Sequence, residues 1–201
     1  NIMTFYGMHD APGGNQREDT FLNENGHNIQ VGDEKDFLIP WGCINPFIEL
    51  ELFKEGFLTA AGYTQNPDYT KFKNIIRYTN NNIRLSPSTQ NWVIENEDIV
   101  LNSSNRLKQA YMAISMKSGD YIYIGGKKSG RVKIKRGWVF KIIEPPKFKY
   151  KSLGNSTFSS YFTLKAICEV PYHIYEKISS HRASIWVLNS IESNELTNFI
   201  N

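Results

Sequence analysis

Ten basic side chains stand in one stretch of the chain: Lys127, Lys128, Arg131, Lys133, Lys135, Arg136, Lys141, Lys147, Lys149 and Lys151. Glu144 is the only acid among them, so the stretch carries a net +9; elsewhere thirteen basic residues face nineteen acidic ones, a net of −6. A polyanion rewards such an asymmetry, because each phosphate met by a Lys or Arg releases a condensed counterion. Read as a strand from Arg131 to Ile143, the stretch sends Arg131, Lys133 and Lys135 to one face while Val132 and Ile134 pack inward. Three like charges side by side repel unless an anion offsets them. Gly125, Gly126 and Gly130 allow close backbone approach to phosphates, and Trp138, Phe148 and Tyr150 offer flat faces for bases. The chemistry expected is nucleic-acid binding, DNA or RNA, with Lys127, Lys128, Arg131, Lys133, Lys135, Arg136, Lys147 and Lys149 on phosphates. Trp138 or Phe148 would stack, and Asn15, Gln16 and Arg17 would reach base edges. The competing expectations are an edge strand kept soluble by its lysines, or contact with acidic proteins or lipid headgroups.

Catalytic constellations are sparse, and the chain is expected not to be an enzyme. Cys43, His173 and Asn189 supply a nucleophile, a base and an orienting amide, in an order and rough spacing similar to the papain-like peptidases. That resemblance covers three residues and implies a cysteine hydrolase; against it, no Gln shortly precedes Cys43 and strand-like alternation follows it, so a buried thiol beside Trp41 is the expectation. His9, His27, His173 and His181 lack metal-ligand spacing, with His9 and Asp10 the nearest to a pair, so neither metal nor cofactor is expected. Asp68 lacks the second acid and the Lys of a metal-dependent nuclease and is expected to cap a helix. Lys127 and Lys128 follow two glycines without the spacing of a phosphate-binding loop. Glu95, Glu97 and Asp98 read as a solvated turn.

The elements that must position these groups read as mainly β. Residues 1–40 are polar and turn-rich and are expected to form an arm, with one β-rich domain over 41–201. Alternation predicts a strand from Phe47 to Leu52, a hairpin loop at Lys54-Glu55-Gly56 and a second strand from Phe57 to Tyr63. A helix is expected after Asp68, where Tyr69, Phe72, Ile75 and Ile76 recur at helical spacing, and a turn at Ser86-Pro87. Trp92–Ile94 and Ile99–Leu101 are expected as a hairpin, Arg106–Met116 as either helix or strand, and Tyr121–Ile124 as a strand. Gly137 marks a bulge or close approach, and Pro145-Pro146 a strand end. Tyr161–Val170 and Ala183–Leu188 complete the strands, before a short terminal helix capped by Ser193 and Glu195. Eight to ten strands with two short helices predict a β-barrel or β-sandwich.

Bulk properties leave these readings room. A chain of 201 residues with 40% hydrophobic and 13% aromatic content can bury a core. No run reaches the roughly 18 apolar residues of a membrane helix, and no secretion signal is visible at the start. Two cysteines make no disulfide framework, which favours a reducing, intracellular compartment. A structural, coat-type sandwich that self-associates is the alternative from a different class.

Overall fold

The computed structural model describes residues 3–9, 29–38, 46–65, 68–82, 84–125, 137–149, 159–179 and 185–201. Among the described residues there are six strands and seven helices. The chain divides into two compact units, one built on Asn1–Gly42, Met116–Pro145 and Phe162–Asn201, the other on Cys43–Ser115 and Pro146–Tyr161.

The first unit carries an open mixed sheet in place of the expected barrel or sandwich. The sheet's strands are β1 (Phe5–His9), β2 (Glu34–Leu38), β3 (Tyr121–Gly125), β4 (Gly137–Lys149), β5 (Ser159–Val170) and β6 (Ile185–Val187), with 146–149 of β4 and 159–161 of β5 counted in the second unit. They lie in the order β2-β5-β4-β3-β1-β6. β1 runs parallel to β3 with Phe5 opposite Tyr121, while β6 pairs with β1, and β4 with β3, antiparallel. Residues 5–9 and 34–38, read from sequence as part of a polar arm, are thus sheet strands. Both faces of the central strands are buried. On one, Phe5, Tyr123, Val139, Trp186 and Leu188 pack with Ile174 and Tyr175 of helix α6 (Tyr172–Tyr175) and Leu196 of helix α7 (Ser190–Ile200). On the other, Met8, Ile122, Ile124, Trp138, Phe140 and Ile142 are buried. Two buried faces explain the continuous Tyr-Ile-Tyr-Ile run of β3, since half-buried strands alternate and fully buried ones do not.

The second unit is helical, and here the strand expectations fail most clearly. The helices are α1 (Pro46–Lys54), α2 (Tyr69–Asn81), α3 (Pro87–Glu95), α4 (Glu97–Leu101) and α5 (Asn105–Ser115). The alternating Phe47–Leu52 segment is α1, which contacts α2, α3 and α5. Phe47 and Leu50 join one apolar cluster and Leu52 another, while Glu49 and Glu51, the polar positions of the supposed strand, are themselves buried. A helix enclosed on several sides shows no clean 3.6-residue stripe, so its pattern imitates a strand. The expected strand from Phe57 to Tyr63 reduces to one bridge, Leu58 to Thr64. The expected hairpin at residues 92–101 is α3 and α4, and the ambiguous Arg106–Met116 segment is α5. Ser86 and Pro87, read as a turn, are an N-cap and a first-turn proline, whose fixed φ suits a helix start.

Glu51 shows how that second unit is tied together. Its Oε1 accepts the Ser86 N–H at 2.7 Å, and its Oε2 accepts the Thr89 hydroxyl at 2.6 Å and the Ser86 hydroxyl at 3.2 Å. A buried carboxylate thereby satisfies three donors at the start of α3, where the helix dipole also favours negative charge. Glu51→Ala strands those donors and is expected to cost about 2–4 kcal/mol, with Glu51→Gln milder, as read from urea denaturation. The expected cap at Asp68 is present, its carboxylate accepting from Thr70 and Lys71 backbone N–H groups.

Candidate nucleic-acid interface

The first six of the ten basic residues fall between two glycines that are paired across the sheet. Gly125, the last residue of β3, is the cross-strand partner of Gly137, the first of β4. Residues 126–136, with Lys127, Lys128, Arg131, Lys133, Lys135 and Arg136, therefore leave and rejoin the sheet at one point; they lie outside the described residues. Two further segments meet the same end of the sheet. His9 pairs with Gly125, and Met8 with Ile185, so segment 10–28 departs, and segment 180–184 arrives, beside the glycine pair. Asn15, Gln16, Arg17, Asp10, His27 and His181 fall in those segments and lie outside the described residues as well.

A tyrosine makes the glycine pair necessary. A Cβ on Gly137 would sit 2.3 Å from Tyr123 Cε2, and one on Gly125 would sit 2.4 Å from the Tyr123 hydroxyl. The ring lies across both strands where any larger residue would hold it off. Gly137 is therefore the close-approach site that its place in an apolar strand suggested. Burial, with Tyr175 and the Glu192 carboxylate nearby, raises the Tyr123 phenol far above its usual range. A phenol that stays protonated when folded but ionises near pH ~10 when unfolded contributes stability below that pH and loses it as the solution becomes more alkaline. Tyr123→Phe should flatten the decline of stability between roughly pH 9 and 11, measured by denaturant midpoints across that range.

The strand that follows splits the ten cations. Trp138 is 5% exposed, with its ring 6.2 Å from that of Phe140, which places it inside the sheet. Lys141 is half-buried opposite Tyr121. Lys147, Phe148 and Lys149 fall on the last residues of β4, which runs on through Pro145-Pro146 instead of stopping there. Along the chain six of the ten cations precede β4, Lys141, Lys147 and Lys149 lie on it, and Lys151 follows it.

The hydrolase constellation gains nothing. Asn189 caps α7, its side-chain oxygen accepting the Glu192 N–H at 2.8 Å; His173 sits on the exposed side of α6; Cys43 lies outside the described residues. Cys168 is a free, part-buried thiol whose pKa burial raises, the opposite of an activated nucleophile. Glu95, Glu97 and Asp98 are exposed on helices. Among the described residues no group of three or more His, Cys, Asp or Glu is placed to hold a metal, and no helix is long and apolar enough to cross a membrane. No protein-family model, curated protein or solved structure matches the chain.

Proposed function

We propose that the chain binds nucleic acid, holding phosphates with the six cations carried between Gly125 and Gly137. One observation carries the reading: six basic residues and no acid occupy a segment whose two ends are cross-strand partners. A segment that starts and ends on paired residues while carrying six positive charges and no negative one would present a concentrated field of one sign, which draws a polyanion from a distance. Arg17 and Arg182 belong to segments joined to the same end of the sheet. The cost of gathering like charges is offset when phosphates enter and counterions leave.

The test is a titration against single- and double-stranded DNA and RNA of one sequence, over about 50–300 mM salt. Six phosphate contacts on a DNA duplex give a slope of log affinity against log salt near −5, at about 0.9 per contact. Binding that ignores salt, or no binding at low salt, overturns the proposal.

A further inference from the structure

Helix α2 presents a second charged surface, in the helical unit. Its thirteen residues include Lys71, Lys73 and Arg77 and no acid. Lys71 is engaged, its ammonium 2.7 Å from Glu55, whose carboxyl is held below its usual range chiefly by that hydrogen bond. Asp68, the acid at the helix start, is occupied by the backbone N–H groups it caps. Lys73 and Arg77 stand exposed one turn apart, and no ion pair holds either of them among the described residues. Lys73 instead lies over the Tyr69 ring at 4.7 Å.

The side chains around this pair suit the same partner. Thr70 and Asn74 are exposed beside it, and Tyr69 and Tyr78 are 66% and 38% exposed. Residues four apart share a helix face, so Tyr69, Lys73 and Arg77 form one row and Thr70, Asn74 and Tyr78 the next. Together they give cations, hydrogen-bonding groups and flat rings over three turns. On the other side of the helix Phe72, Ile75 and Ile76 are partly buried against Leu52, Phe57 and Leu107. Unpaired cations alternating with amide, hydroxyl and tyrosine groups match the phosphate, sugar and base surface of nucleic acid.

We infer that the exposed face of α2 is a nucleic-acid contact surface, with Lys73 and Arg77 on phosphates and Thr70, Asn74 and the two tyrosines on the groups between them. The inference rests on the nucleic-acid reading but uses a different unit, so it can fail alone. The experiment compares the full chain, a Lys73→Gln/Arg77→Gln variant and an Arg131→Gln/Lys133→Gln/Lys135→Gln variant on a 20-base-pair DNA duplex, with melting temperatures showing that each is folded. Loss of two contacts should make the α2 variant's salt slope shallower by about 1.8. In the unsubstituted chain, bound duplex should shield Lys73 from acetylation, read by mass spectrometry. An unchanged slope with an unshielded Lys73 overturns the inference while leaving the sheet-edge proposal standing if the triple variant loses slope. A slope lost only in the α2 variant supports the inference and removes the sheet edge instead. Equal affinity for polyglutamate of matched charge, or no binding of duplex by the unsubstituted chain, overturns it too.

Discussion

Replacing Arg131, Lys133 and Lys135 together by glutamine should make the salt dependence of duplex binding shallower by about 2.7, three contacts at about 0.9 each. Near 0.1 M salt that change corresponds to a loss of affinity on the order of several hundred-fold, since the line pivots about 1 M. Glutamine keeps length and hydrogen-bonding capacity, so what is removed is charge. The variant should unfold at the same denaturant concentration as the parent, because removing like charges from one segment relieves repulsion and disturbs no packing found in the sheet. The matching control neutralises Lys147 and Lys149, which lie at the far end of β4. If the six cations before Gly137 act alone, that control leaves the slope unchanged; an equal loss from both variants would show that the charges act as a diffuse field and not as a surface at the glycine pair.

Much of the sheet could be read from residue types, and most of the helical unit could not, for one physical reason. Tyr121–Ile124 and Tyr161–Val170 are runs of β-branched and aromatic residues bounded by turns or proline, and they are strands. Asp68 with Tyr69, Phe72, Ile75 and Ile76 is an amphipathic surface helix, whose one-sided burial leaves a legible period. Around α1, by contrast, burial on several sides lets Glu49 and Glu51 sit inside with the leucines, and the period that would announce a helix vanishes. Ser86-Pro87 did carry a helix-start signal, which the apolar triplets at 92–94 and 99–101 outweighed. β1 was hidden differently. Its five residues, Phe-Tyr-Gly-Met-His, are short and interrupted by Gly7, which looks like a turn former until Trp186 is found where its side chain would be, 2.4 Å from a Cβ at that position. The charge asymmetry of the candidate site was visible from the outset. The pairing of Gly125 with Gly137 was not, because it depends on where β4 starts.

Gly137→Val should be among the most damaging single changes in the sheet. Alanine alone brings its Cβ to 2.3 Å from the Tyr123 ring, closer than any real contact, and valine adds two methyl groups. The ring has little room to yield, because Tyr123 is 3% exposed and packs in the cluster with Val139, Tyr175 and Trp186. Overpacking of a filled core costs about 1–3 kcal/mol, and valine should reach or exceed the upper end, observed as a lowered denaturation midpoint with unchanged slope. The contact is specific, so it can be relieved from the other side: Tyr123→Ala should recover a large part of the Gly137→Val loss while costing stability on its own. A double-mutant cycle measures that coupling directly, and additive losses would show that the cost at Gly137 does not come from the ring. The same cycle bears on function. If the glycine pair fixes where residues 126–136 leave and rejoin the sheet, Gly137→Val should weaken duplex binding beyond its effect on the folded fraction, and Tyr123→Ala should restore binding in step with stability.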